Sequence, residues 1–125
     1  MDEPAVDIAF GGIVIVADFT ASTIIFDKPF LNPKLTLHQF GELVQIDKRV
    51  LHDFFELYLF TNFTDEMNRL RVQFARNLIK HGCMKKACLK NLHLESGFST
   101  SKDLEFYFLE FEGLTIQGFI QSIAK

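Results

Sequence analysis

From residue 30 onward the apolar positions recur at helical spacing. Pro33 and Thr36 precede Leu37, Phe40, Leu43 and Val44, which marks a short helix with Thr36 as N-cap. Ile46-Asp47 then turns into Val50, Leu51, Phe54, Phe55 and Tyr58, a second helix capped by Asp47. A longer helix is predicted over residues 64–80, where Met67, Leu70, Phe74 and Leu78 share one face and Gly82 ends the run. The pattern then repeats. A helix over residues 85–94 and the turn Ser96-Gly97-Phe98-Ser99 lead to a helix capped by Thr100 or Ser101 and running to Phe111; Gly113 closes it, and a last helix starts at Thr115. Thr100-x-x-Asp103 has capping-box spacing. Two short-helix pairs, each with a tight turn and tied together by one longer helix, predict a mainly α tandem helix-turn-helix domain over residues 30–125.

Residues 1–29 follow another pattern. Val6-Asp7-Ile8-Ala9-Phe10, Gly11-Gly12 and Ile13-Val14-Ile15-Val16 form a β-rich run split by a two-glycine turn signal, so a hairpin is expected there. Thr23-Ile24-Ile25-Phe26 supplies a further short strand. The acidic start argues against a signal peptide, and Asp18 breaks the apolar run short of the ~20 residues a membrane span needs. Because an isolated hairpin is marginal in water, this β-like leader is expected either to dock on the helical body or to pair two chains into a homodimer.

Composition narrows the class. The 125 residues, 48% hydrophobic and 23% charged, suffice for one compact domain, whereas a complete effector-sensing domain beside a DNA-binding unit needs roughly 200 or more. Phenylalanine is abundant and tryptophan absent; the phenylalanines of the helical region, Phe60 and Phe111 among them, are assigned mostly to the core. The net charge of −3 argues against nucleic acid, but its distribution argues the other way. Residues 1–30 hold five acids against Lys28, while residues 67–94 contain Arg69, Arg71, Arg76, Lys80, Lys85, Lys86 and Lys90 with only two acids at or beyond their edges, Glu66 and Glu95. Cys83 and Cys88 are too few to staple a secreted mini-domain and suit a reducing cytoplasm.

Catalytic and metal chemistry find little support. In Cys83-x4-Cys88-x4-His93, with His81 nearby, each five-residue step on a helix turns about 140°, so zinc ligands would not converge. His38 and His52 lack a nearby nucleophile with an orienting partner, and Gly11-Gly12 lacks the lysine and hydroxyl residue of a phosphate loop. No enzyme activity, cofactor, metal, membrane contact or small-molecule site is expected.

The order of motifs resembles the DNA-binding domain of AraC/XylS-type transcription regulators. Lys28-Pro29-Phe30-Leu31-Asn32-Pro33-Lys34-Leu35-Thr36-Leu37 is similar to that family's lead-in segment, and Asn62-Phe63-Thr64-Asp65-Glu66-Met67-Asn68-Arg69-Leu70-Arg71 to the start of its linker helix, with Ala75 and Leu78 in register. Glu95-Ser96-Gly97-Phe98-Ser99 and Gly113-Leu114-Thr115 are similar to the turn and exit of its second helix-turn-helix. In the family, a linker helix holds two recognition helices that enter successive major grooves. A helix over residues 64–80 would be about 25 Å long, a strut suited to elements near one DNA turn of ~34 Å apart. The second recognition helix departs from the pattern: Leu104 replaces a common Phe, Phe106 a common Arg, Leu109 and Glu110 basic residues, and Ile116 a Pro. Phe106 is accordingly expected at the surface.

The resemblance implies a cytoplasmic transcription regulator that binds double-stranded DNA mainly through its first helix-turn-helix. Lys48, Arg49 and His52, with Ser101 and Lys102 in the second unit, would read bases, and Arg69, Arg76, Lys80, Lys85 and Lys86 would hold the backbone. The alternative is a divergent helix-turn-helix protein that serves as an interaction or dimerisation module with little DNA affinity, an option favoured by Glu105, Glu110 and Glu112 where phosphates would lie.

Overall fold

A computed structural model describes residues 11–124, and every regular element among them is helical. The helices are α1 (Gly11–Asp27), α2 (Leu37–Val44), α3 (Lys48–Asp53), α4 (Phe63–Lys80), α5 (Lys86–Leu89), α6 (Leu92–Glu95), α7 (Ser101–Glu112) and α8 (Ile116–Ile123). A 3-10 turn spans Pro29–Leu31, and a wider π turn over Phe54–Tyr58 continues α3. The described residues fall into two compact units. One takes those up to Pro29 together with Lys34–Glu66, the other Phe30–Pro33 together with Met67 onward.

The expected β-like leader is corrected. Residues 13–16 and 23–26 both lie inside α1, while residues 1–10, with the first arm of the expected hairpin, lie outside the described residues. The preference of β-branched residues for strands reflects packing on a sheet more than backbone bias. A strand also needs a neighbour for its backbone N–H and C=O groups, whereas a helix satisfies its own. Thr20 is buried, α1 contacts α2, and Lys28 closes the helix in the left-handed region at φ 48°. Among the described residues no helix is long and apolar enough to cross a membrane.

In the first unit the caps form as the sequence dictates. The Thr36 hydroxyl accepts from Gln39 N at 3.1 Å while the Gln39 side chain accepts from Thr36 N at 3.0 Å, a reciprocal box. The Asp47 carboxylate accepts from Arg49 N at 2.8 Å and starts α3. Between them lies a three-residue turn, 45–47, so tight that a Cβ on Gly41 would stand 2.8 Å from the Ile46 carbonyl oxygen. Only glycine fits there. Phe40, Val44, Leu51, Phe54 and Phe55 are buried, and the rings of Phe40, Phe55 and Phe63 meet at 5.6 to 6.5 Å. The π turn lets the consecutive Phe54 and Phe55 both face this core. Phe60, assigned to the core from sequence, instead stands 87% exposed with left-handed backbone.

The second unit is organised around α4. Its fully buried stripe is Met67, Arg71, Val72, Ala75 and Ile79, with Leu70, Phe74 and Leu78 only partly buried along the edge. The predicted stripe is therefore shifted round the helix, because Arg71 is an inward-facing residue. Its Nε donates to the Phe30 carbonyl, its Nη1 to Asn68 Oδ1 at 2.7 Å and its Nη2 to the Asn32 carbonyl at 3.0 Å. Burial holds the guanidinium below its ordinary pKa, with Tyr107 acting in the opposite sense. Gly97, at φ 90°, lies against the same turn: a Cβ there would be 2.7 Å from both Leu31 Cα and the Phe30 carbonyl oxygen. Ile79, Leu92, Phe98, Leu104, Phe108 and Phe119 fill the surrounding core.

Two further differences from the sequence reading concern residues 83–95. The single helix expected over 85–94 is split into α5 and α6, with Asn91 outside helical geometry at φ −105° and ψ 5°. Cys83 and Cys88, read as thiols, form a disulfide with Cα atoms 5.4 Å apart; Cys83 is buried and Cys88 exposed. The bridge joins the end of α4 to α5.

Two outcomes follow for stability, measurable by urea unfolding with far-UV circular dichroism. Arg71→Met leaves three acceptors without their donor and should cost about 3 kcal/mol. Gly97→Ala, strained in both φ and space, should cost at least ~2 kcal/mol, and a loss below about 0.5 kcal/mol for either would contradict this packing. Reducing the Cys83–Cys88 bridge, which closes a short loop, should cost about 2 kcal/mol. The Cys83→Ser/Cys88→Ser protein should then match the reduced parent and gain nothing from oxidation.

Candidate nucleic-acid interface

Lys48 and Arg49 occupy the first turn of α3, both exposed and immediately after the Asp47 cap. Hydrogen bonding of Asp47 to Arg49 N fixes where the helix begins, and Leu51, buried on the opposite side, fixes which face turns outward. Lys48, Arg49, His52, Asp53 and Glu56 all lie on that outward side, as the spacing requires. His52 sits among carboxylates. Its Nε2 is 3.2 Å from Glu56 Oε2 and its Nδ1 is 3.5 Å from Asp53 Oδ1. His38 is similarly 3.5 Å from Glu42. The cationic part of the face is therefore its first turn, and acids gather beyond it.

In the second unit, Thr100 caps α7 by accepting from Asp103 N at 3.1 Å, leaving Ser101 and Lys102 exposed in the first turn. The rest of the outward face is apolar and acidic: Phe106 is 59% and Leu109 49% exposed, with Glu105 and Glu110 also at the surface. Leu104 and Phe108 point inward.

The residues expected to hold a nucleic-acid backbone have separate fates. Lys80 is exposed in the last turn of α4, and Lys85 and Lys86 are exposed beside the disulfide that anchors their loop. Arg69 is half-buried. Arg76 is engaged internally. Its Nε lies 3.1 Å from Glu112 Oε1, an electrostatic pairing without hydrogen-bond geometry, and its guanidinium covers the Phe119 ring at 5.4 Å. The expected stripe of Arg69, Arg76 and Lys80 thus reduces to one fully exposed cation on α4. Lys90, which the sequence reading counted only as part of the basic stretch, is exposed near Lys85 and Lys86 in the chain.

Sequence reasoning passed over Arg71 as a structural residue, although the spacing Asn68-x-x-Arg71 is one at which helical side chains meet. It also gave no warning that both sulfurs would be used in a bridge. Comparison with models of protein families, with curated proteins and with solved structures finds no match for this chain.

Proposed function

We propose that this chain is a DNA-binding transcription-regulator module of AraC/XylS type, with α2–turn–α3 as the first helix-turn-helix and α6–turn–α7 as the second. The observation that carries the reading is the start of α3. A capped helix presents Lys48 and Arg49 in its first turn, behind a turn so close-packed that Gly41 admits no side chain. Base-reading side chains of helix-turn-helix proteins occupy that position, and arginine there can hold O6 and N7 of guanine together. Ser101 and Lys102 take the equivalent place on α7. Lys80, Lys85 and Lys86 are the available phosphate partners, whereas Arg76 would first have to leave Glu112.

The second reading, an interaction module with little DNA affinity, is favoured by one observation. The outward face of α7 carries Phe106 and Leu109 between acids. A phosphate surface would repel those acids and leave the apolar side chains unsatisfied.

Binding of duplex DNA across a salt series tests the first reading, because each neutralised phosphate adds a slope of about −0.9 to log affinity against log salt. Selection from random duplexes should yield one short block. On that sequence Lys48→Ala and Arg49→Ala should each weaken binding about 10-fold or more, and Lys102→Ala much less. Two equally strong blocks one helical turn apart would refute the asymmetry, and absence of salt-dependent binding would refute the DNA reading itself.

A further inference from the structure

We propose that α7 pairs two copies of this chain in an antiparallel helix contact whose two-fold axis passes through Phe106. Lys102, Phe106 and Glu110 follow one another at steps of four, on the side of α7 turned away from the buried Leu104 and Phe108. Leu109 lies beside this stripe, 49% exposed, and Gly113 ends it. Phe106 is 59% exposed but not loose: its ring meets the Tyr107 ring edge-on at 5.0 Å, and Tyr107 stacks on Phe98 and Phe111 at 6.0 and 6.2 Å. A side chain already ordered loses less freedom when it is covered.

The charges choose the occupant and the register. A two-fold axis at Phe106 sets each residue against the one equally far along on the other copy. Phe106 then meets Phe106, and Lys102 meets the partner's Glu110 twice over, once at each end. Leu109 packs on the alkyl stem of the partner's Lys102, and Gly113 lets the chains approach at the rim. Other arrangements are penalised by the same residues. Parallel pairing sets Lys102 against Lys102 and Glu110 against Glu110, and an antiparallel axis midway between Phe106 and Leu109 sets Glu105 against Glu110. Neither Lys102 nor Glu110 has an ion-pair partner among the described residues, so both are available to the second copy. An interface of this kind is isologous. One pair of short helices covers less than the ~800 Å² per partner of a standard interface, which places self-association in the micromolar range or weaker.

This surface is separate from the DNA reading, and its test uses the protein alone. Sedimentation of the full chain from about 10 µM to about 1 mM should show a monomer–dimer equilibrium, and Phe106→Ser should abolish it. Lys102→Glu and Glu110→Lys should each raise the dimer dissociation constant about 10-fold, and the double variant should return to within about three-fold of the parent. All three side chains are exposed, so unchanged circular dichroism is expected throughout. A chain that stays monomeric at about 1 mM, a dimer indifferent to Phe106→Ser, or a double swap no better than either single one overturns the proposal.

Discussion

The second unit depends on a guanidinium that has been taken out of water. Arg71 is 6% exposed and no carboxylate neutralises it; its bonds go to two backbone carbonyls and an asparagine side chain. Burying an unneutralised cation is expensive, and the cost is offset only while all of these acceptors are in place. The Pro29–Leu31 turn and Asn32 must therefore lie against α4 whenever this unit is folded. Gly97 then has to be glycine, since the backbone of residues 30–31 occupies the volume a side chain would need. One buried charge thus couples three segments distant in sequence.

That coupling also explains why some of the basic stretch does not act as a surface. A run of cations looks like a phosphate-binding face, but a guanidinium can be drawn inward by carbonyls, as Arg71 is, or by an acid and a ring, as Arg76 is with Glu112 and Phe119. Lysine has a compact, strongly hydrated head and stays outside. Lys80, Lys85, Lys86 and Lys90 are all exposed. The basic character that survives folding is that of the lysines near the disulfide.

Much of the helical organisation was legible because it is written in local rules. Thr36, Asp47, Thr100 and Thr115 cap the helices they were expected to cap, or those whose start they marked, and Gly82, Gly97 and Gly113 adopt the positive φ that ends a helix or turns the chain. The failures share a different cause: each depends on something outside a local window. Residues 13–16 read as strand because strand propensity says nothing of whether a pairing partner exists. Asn91 breaks a run whose apolar spacing was continuous. Phe60 reads as core by type, yet the turn after the π segment carries it outward. Of the candidate interface, the exposure of Lys48, Arg49 and Lys102 was legible from their positions in first turns, but the diversion of Arg76 required knowing that Glu112 would come to it.

The two recognition-type helices carry opposite surface chemistry on equivalent scaffolding. Both begin with a side-chain cap followed by exposed polar and cationic residues, Lys48-Arg49 in one and Ser101-Lys102 in the other. Beyond the first turn, α3 is followed on its outer side by Asp53 and Glu56, and α7 by Glu105, Phe106, Leu109 and Glu110. An acid can remain beside a nucleic acid if water and ions screen it, at a loss that salt reduces. An exposed phenylalanine gains nothing from phosphate or from bulk water, and its favourable term comes from apolar contact. The chemistry of α7 therefore asks for a partner with an apolar stripe and charges of both signs, and another α7 offers that stripe in the same spacing.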